Sequence, residues 1–183
     1  MKKLNLLLAV AGLAMLVVPQ KSGALTVNEV KYYNSCVNKK NAVGKKEGFW
    51  IEKDGNWRSE YYYKNGVKSG VYKQYAGDGS LSVLGFYKDG LLSGPVYRFL
   101  NDGHLVEILK DFTPNTFSAT IEGKKFTPPY KCYYTSFHPN GLVKEEGIFL
   151  FGAKNNPWDD SVEYGEWKYY DETGKLTETK TFK

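Results

Sequence analysis

Residues 55–78, GNWRSEYYYKNGVKSGVYKQYAGD, are followed directly by residues 79–102, GSLSVLGFYKDGLLSGPVYRFLND, and the two stretches share one pattern. Each spans 24 residues, begins with a glycine that follows an aspartate, and carries a second Asn-Gly or Asp-Gly pair near its centre. Such pairs between apolar segments predict tight hairpin turns, because glycine adopts positive φ without strain. Each stretch therefore predicts a strand, a turn, a second strand and a second turn.

The same turn glycine recurs five times along the chain, with apolar residues at fixed distances on both sides. The anchors are Asp54-Gly55, Asp78-Gly79, Asp102-Gly103, Asn140-Gly141 and Thr173-Gly174. Hydrophobic residues lie two positions after each glycine, at Trp57, Leu81, Leu105, Val143 and Leu176. Others lie four positions before it, at Ile51, Tyr75, Phe99, Phe137 and Tyr170. An aromatic residue eight positions after the glycine completes four copies, as Tyr63, Tyr87, Phe149 and Phe182, whereas the third copy has Asp111. A fixed period of this kind predicts a repeat architecture.

Alternation along these strands predicts which aromatic side chains form the core, because every second residue of a strand faces the same side. We expect the core to contain Trp57, Tyr63, Tyr87, Phe149, Trp167, Tyr170 and Phe182. One pair of positions does not fit a simple alternation of inward and outward side chains. Aromatic residues seven and four positions before the glycine, such as Tyr72 and Tyr75, are three residues apart. A β-bulge, or an early start of the turn, would bring both inward, and the pattern does not choose between the two.

The composition and the repeat together predict an all-β fold, an elongated antiparallel meander of stacked β-hairpins. Hydrophobic residues make up 42% of the chain and aromatic residues 16%, which suits half-buried sheet faces, and a long helical pattern is absent. We expect a lead-in segment at residues 25–45 and a hairpin-repeat domain at residues 46–183, with insertions near 110–131 and 151–161. In the first insertion, residues 117–121 and 124–127 flank Glu122-Gly123 and predict a hairpin that is separate from the repeat.

Residues 1–24 have the pattern of a secretory signal peptide. Lys2 and Lys3 precede an apolar run at residues 6–18, and Ser22-Gly23-Ala24 supplies small residues for cleavage. The sequence therefore predicts export to the periplasm or the medium. Removal of this segment lowers the net charge from +5 to +2, because it contains three lysines and no acidic residue. A charge so near balance argues against nucleic acid as a partner.

Two cysteines, Cys36 and Cys132, lie far apart in the sequence. In an oxidising compartment they could form a disulfide. The alternative is two separate buried thiols, and sequence distance alone does not decide whether the two Cα atoms come within reach.

The polar residues show no catalytic or metal-binding arrangement. His104 and His138 flank turn glycines and are interpreted as solvent-exposed turn residues rather than metal ligands. Asp54, Asp78 and Asp102 recur before glycine, where a carboxylate favours the turn by accepting nearby backbone N–H groups. No serine lies in a Gly-x-Ser-x-Gly elbow. We therefore expect no catalytic, cofactor-binding or metal-binding residues, no cofactor and no enzymatic activity.

Aromatic residues that do not occupy the repeated positions are candidates for surface contacts instead of core positions. These are Tyr62, Tyr133 and Trp158, the last in a predicted insertion loop. Tyrosine and tryptophan are common anchors of binding interfaces, and loops often carry function.

The run Tyr63-Lys64-Asn65-Gly66-Val67-Lys68-Ser69-Gly70-Val71-Tyr72, echoed from Tyr87 to Gly94, resembles the MORN repeat. It is more similar to the bacterial variant of that repeat, found in proteins named YwqK-family antitoxins. The segment from Tyr164 to Leu176 is similar to the same unit. The resemblance implies about five stacked hairpins, a binding role and no catalytic residues. Some members are described as antidotes to a partner toxin, and eukaryotic MORN proteins are often linked to membranes.

Taken together, these patterns favour an exported, non-enzymatic repeat protein that binds another protein, as an antitoxin- or immunity-like protein would. The alternative is a cell-envelope module that binds lipid head groups or glycan, which the aromatic content and the export signal also suit. The identity of the partner and the oligomeric state stay open at this level.

Overall fold

The computed structural model describes residues 36–121, 123–152 and 161–183. The predicted signal peptide, most of the lead-in segment and Trp158 lie outside the described residues. Within them the chain forms strands and no helix. The strands are β1 (Lys39–Lys40), β2 (Lys46–Asp54), β3 (Trp57–Lys64), β4 (Val67–Lys68), β5 (Gly70–Tyr75), β6 (Leu81–Lys88), β7 (Leu91–Leu92), β8 (Val96–Phe99), β9 (Leu105–Pro114), β10 (Ala119–Ile121), β11 (Lys124–Phe126), β12 (Tyr130–Phe137), β13 (Val143–Phe151), β14 (Val162–Tyr170) and β15 (Leu176–Phe182).

Thirteen of these strands form one open antiparallel sheet. Its order is β1-β2-β3-β5-β6-β8-β9-β12-β13-β14-β15, with the short β4 and β7 paired to β3 and β6. Neighbours in the sheet are neighbours in the sequence, apart from the separate β10–β11 hairpin that interrupts the series. The predicted all-β meander of successive hairpins is confirmed.

The turns form where the glycine pairs predict them. Asn65 and Gly66 both have positive φ, of 52° and 83°, and connect β3 to β4 through the pair Lys64–Val67. Asp89 and Gly90 repeat this geometry with φ of 52° and 85°. Two consecutive residues at positive φ are typical of a type I′ hairpin turn, whose twist matches that of the strands.

A wider turn recurs at Gly79, Gly103, Gly141 and Gly174. In each, the glycine N–H donates to the carbonyl three residues earlier, at 2.9–3.0 Å. The Asp78 carboxylate accepts from the Ser80 N–H at 2.9 Å, and Asp102 accepts from the His104 N–H at 3.0 Å. These bonds confirm Asp78 and Asp102 as turn-forming residues. The Ser80 hydroxyl, which donates to Asp78 at 2.6 Å, and then the Ser80 N–H hold the pKa of Asp78 below its ordinary value, and the His104 N–H does the same for Asp102.

One face of the sheet, here called the core face, carries the buried cluster. Its members are Tyr72, Val83, Leu92, Val96, Leu109, Cys132, Tyr134, Phe151 and Trp167. Tyr61 and Tyr72 stack across β3 and β5 with ring centroids 4.9 Å apart. Tyr87, Phe149 and Phe182 pack against the cluster, and Tyr63 is itself buried. The core predictions for Tyr63, Tyr87, Phe149, Trp167 and Phe182 are therefore confirmed.

Two core predictions are wrong. Trp57 is 45% exposed. It follows a two-residue turn and faces Asp54, and the register between β3 and β5 begins only at Arg58, so no strand shelters the indole on that side. Tyr170 lies on the opposite side of the sheet from Trp167, where its hydroxyl donates to Glu146 at 2.8 Å.

The Tyr170 position also answers the question of the aromatic pairs three residues apart. The register does shift just before Tyr75, Phe137 and Tyr170, as a bulge would require. The shift does not turn these rings inward, however. Tyr75 lies under the Arg58 guanidinium at 4.1 Å and Tyr170 binds Glu146, both on the side away from the core face. The sheet therefore has aromatic residues on both faces.

The first predicted insertion is the β10–β11 hairpin, as expected from its Glu122-Gly123 pair. It packs on the side of the sheet opposite the core face, where Phe117 stacks on Tyr164 with centroids 4.9 Å apart and Ala119 is buried. Asp111, which breaks the aromatic pattern, has positive φ (58°) and lies where the β9–β12 register shifts. The irregular residue is thus a bulge that precedes the inserted hairpin.

Candidate binding face

The side of the sheet opposite the core face is here called the second face. Side chains alternate along a strand, so residues adjacent to core positions point to this side. Tyr62 lies between the core residues Tyr61 and Tyr63, and Tyr133 lies between Cys132 and Tyr134. Two of the predicted surface-contact residues therefore share one face, and the third, Trp158, lies outside the described residues.

An exposed aromatic patch occupies the second face of β2, β3, β5 and β6. We define it as Phe49, Tyr62, Val71 and Phe86. Phe49 and Tyr62 are cross-strand partners with ring centroids 5.3 Å apart, and Val71 is the partner of Phe86. Tyr62 is 48% exposed and Phe86 36%. These apolar side chains on adjacent strands form one patch, which makes this part of the second face the candidate contact surface.

A groove of about 660 Å³ lies farther along the same face, over β8, β9, β12 and β13. Its walls include Tyr97, Ile108, Lys110, Thr135, Phe137 and Glu146. Apolar walls with a lysine and a glutamate at different positions suit a site that encloses a mixed side chain or peptide segment.

Glu146 is held at the groove by tyrosine hydroxyl groups. Tyr170 donates to Glu146 Oε1 at 2.8 Å, and burial, together with a hydrogen bond to Glu146, raises the pKa of Tyr133 to about 12. Hydrogen bonding to Glu146 also raises the pKa of Tyr170. Both phenols stay protonated at neutral pH and act as donors that orient the carboxylate. Lys110 Nζ lies 5.3 Å from the Tyr133 ring centroid and adds a positive charge beside it.

The polar end of the core face forms a second, smaller groove of about 320 Å³. It is lined by Glu52, Asp54, Trp57, Ser59 and Gln74, among others. Lys46 Nζ lies 2.5 Å from Glu52, and the Tyr63 hydroxyl donates to the same carboxylate at 3.0 Å. Burial acts to raise the pKa of Glu52, but these two hydrogen bonds outweigh it and hold the pKa below its ordinary value. Glu52 is therefore an ionised acceptor at neutral pH.

The two histidines differ in their surroundings. His104 is an exposed turn residue, as predicted, with Nδ1 3.0 Å from the Asp102 carboxylate. His138 is half-buried, and its Nε2 lies 2.9 Å from the Tyr170 carbonyl oxygen, so the expectation of an exposed side chain is wrong there. In the described part of the chain, no three His, Cys, Asp or Glu side chains come together as metal ligands. The same residues include no helix long and apolar enough to span a membrane.

The structure places the two cysteines in different environments and as thiols rather than a disulfide. Cys36 precedes β1 and is exposed, whereas Cys132 lies in β12 and is buried in the core cluster. Six strands separate β1 from β12 in the sheet order, a distance of roughly 30 Å at the usual strand spacing. Burial also raises the pKa of the Cys132 thiol to about 12, which disfavours the reactive thiolate.

We expect a thiol reagent to label one cysteine in the folded protein and two after unfolding without reductant. The Cys36→Ser variant is expected to lose the native labelling, and Cys132→Ser to keep it, because only Cys36 is exposed. The measurement is mass spectrometry after alkylation at neutral pH. Absence of labelling in the unfolded, unreduced protein would contradict this arrangement, since it would reveal a disulfide.

Sequence reasoning missed Phe49, Phe86 and Glu146 on the second face. The signal was present in pairs of adjacent aromatic residues, such as Phe86-Tyr87 and Tyr133-Tyr134. Adjacent apolar residues in a strand point to opposite faces, so such pairs indicate a sheet that is apolar on both sides.

Comparison of the chain with protein-family models, curated proteins and solved structures finds no match. The geometry of the two faces and the resemblance in the sequence are therefore what support a function.

Proposed function

We propose that the protein is an exported, non-enzymatic β-sheet protein that binds another protein through the second face. The observation that supports this most directly is the exposed aromatic patch, in which Phe49 contacts Tyr62, and Phe86 lies two strands farther on beside Val71. Tyr62 is 48% exposed and Phe86 36%. Aromatic side chains that lose little conformational entropy are typical centres of binding energy in protein interfaces.

Charged side chains lie on the second face near the patch and at the groove, as an interface rim requires. Arg58 pairs with Glu60 at 2.7 Å on the same face, and Lys110 and Glu146 lie at the groove. Both signs of charge are thus present on the second face, as they are at the rims of many protein interfaces. This mixture favours a protein partner over an anionic lipid surface, which attracts clusters of one sign.

The antitoxin- or immunity-like role is the specific form of this proposal. It is supported by the resemblance to YwqK-family antitoxins and by the predicted export signal, which together favour a partner met outside the cytoplasm. The MORN-like resemblance also agrees with a sheet built from successive hairpins, an architecture suited to extended binding surfaces.

The test compares capture of envelope and medium proteins by the wild-type protein, the double variant Tyr62→Ser/Phe86→Ser and the control Leu100→Ser. Leu100 is 52% exposed but lies in a turn away from the patch, so it controls for loss of surface hydrophobicity. We expect a partner retained by the wild type and the control to bind the double variant about tenfold more weakly or worse. A partner that binds all three proteins equally, or recovery of no specific partner, would contradict the proposal.

A second candidate is glycan binding at the polar end of the core face. The observation that favours it is the exposed Trp57 indole beside Glu52, Asp54 and Gln74. A flat aromatic surface next to carboxylate and amide groups suits a sugar ring with hydroxyl groups at its edge. A glycan array probed with wild-type protein and Trp57→Ala separates this candidate from the first, because Trp57 lies on the face opposite Tyr62.

A further inference from the structure

One edge of the large sheet is formed by β15 and is open along the strand, while the Lys183 carbonyl just beyond it accepts from the Thr120 N–H at 3.2 Å. Among the described strands, β15 (Leu176–Phe182) pairs only with β14, and six of its seven residues are exposed. The strand at the other end of the order, β1, contains only Lys39 and Lys40. A two-residue strand of lysines is protected from pairing, whereas a seven-residue strand rich in β-branched threonine offers a row of unpaired N–H and C=O groups.

The sequence of β15 is complementary to itself when it is read in the opposite direction. It reads Leu-Thr-Glu-Thr-Lys-Thr-Phe, with Thr179 at the centre. In an antiparallel pair centred on Thr179, Glu178 of each copy lies opposite Lys180 of the other copy, so the contact contains two such pairs. Thr177 lies opposite Thr181, also twice, whereas Leu176 lies beyond the register shift in β15 and is left out of this pairing.

We propose that two copies of this chain join edge to edge through β15, around a twofold axis at Thr179. The two sheets then continue into one another. The outward-facing N–H and C=O groups of β15 in one copy pair with those of β15 in the other. Because the same strand serves in both copies, the contact closes as a dimer and does not extend into a filament.

The side chains of β15 are placed for this contact. Phe182 packs edge-on against Trp167 with centroids 6.3 Å apart, at the margin of the core face. Leu176 is 47% exposed and lies opposite Tyr170 beyond the register shift, so it is outside the regular part of this contact. Within one copy, Glu178 and Lys180 lie 3.3 Å apart with about half of each side chain accessible, so both remain available to the facing strand.

The charges select one register. The pairings that keep core-face residues opposite one another differ by steps of two residues. A shift of the centre to Glu178 places that carboxylate opposite itself, and a shift to Lys180 does the same with the ammonium group. Like charges directly opposite destabilise a strand pair, whereas opposite charges stabilise it. Only the centre at Thr179 pairs each glutamate with a lysine.

The first test is a disulfide scan of the full chain in a Cys36→Ser background, with light scattering to measure mass. We expect Thr179→Cys to form a covalent dimer on mild oxidation, because residue 179 faces itself at the twofold axis. Thr177→Cys and Thr181→Cys are matched controls on the same side of the strand. Each alone is expected to remain uncrosslinked, whereas a mixture of the two is expected to crosslink, since 177 faces 181.

The second test exchanges the charges. Glu178→Lys and Lys180→Glu each place like charges opposite one another at two points, and we expect each to weaken dimerisation about tenfold or more. The double variant carrying both changes restores opposite charges and is expected to recover the dimer. A protein that stays monomeric at every concentration would overturn the proposal, as would crosslinking that is equal at 177, 179 and 181, or failure of the double variant to recover. These outcomes do not depend on the partner of the second face.

Discussion

Replacement of Trp167 by alanine is expected to lower the free energy of unfolding by about 3–5 kcal/mol. The indole is 1% exposed and is among the largest fully buried side chains of the described chain. It packs against Tyr134, Phe149, Tyr169 and Phe182, with centroid distances of 5.0–6.4 Å. Its Nε1 donates to the Ile148 carbonyl at 3.2 Å, so truncation removes a hydrogen bond as well as packing.

The measurement is urea unfolding followed by far-UV circular dichroism. Trp57→Ala provides a control of the same residue type, and because Trp57 is 45% exposed we expect it to cost less than about 1 kcal/mol. If Trp167→Ala does not fold, Trp167→Phe keeps the comparison measurable with a smaller loss. Equal destabilisation by the changes at Trp57 and Trp167 would contradict the assignment of the core face.

Substitution of Gly147 by alanine is expected to destabilise the fold by about 3 kcal/mol, at the upper end of the range for overpacking. A Cβ at this position would lie 2.4 Å from Trp167 Cδ2 and Cε2, far inside contact distance. The indole cannot move aside freely, because its neighbours on the core face and its hydrogen bond to Ile148 hold it. The glycine is needed here for close approach, since its φ is not in the left-handed region.

Gly85→Ala is the matched control for this prediction, because Gly85 occupies the equivalent place six residues after a turn glycine. Its Cβ would meet Val96 Cγ2 at 3.2 Å, so a shift of a few tenths of an ångström suffices and we expect about 1 kcal/mol. A double-mutant cycle with Trp167→Ala tests the cause. If the indole is the obstacle, the cost of Gly147→Ala falls by more than about 1 kcal/mol in that background. Strict additivity would show that the strain arises elsewhere.

Local features were the part of the fold that the sequence made predictable. Asn65-Gly66 and Asp89-Gly90 form turns whatever surrounds them, because their backbone preference is intrinsic to these residues. Tyr63 and Trp167 were assigned to the core correctly because alternation along a strand is equally local. The β10–β11 hairpin followed from the same two rules.

The candidate binding face was predictable only in part. Tyr62 and Tyr133 were selected because they fall off the period, and both lie on the second face. No sequence pattern selected Glu146, because its position depends on hydroxyl groups from Tyr133 and Tyr170 on two different strands. The role of this face as a protein-binding surface, and the export that would bring it to a partner, stay predictions.

The sequence by itself determined the strands, the turns and the alternation, because each depends on residues a few positions apart. Only the tertiary structure decided what lies beside each strand, and burial depends on that. Alternation assigned both Trp57 and Trp167 to the core, yet Trp57 lies beyond the point where β5 begins to pair, whereas Trp167 lies between β13 and β15. Tyr170 faces away from the core because it lies three residues after Trp167, and the register shift with β15 does not turn it inward. Cys36 and Cys132 lie far apart because six strands separate β1 from β12, and the spacing of the two residues in the sequence does not specify that separation.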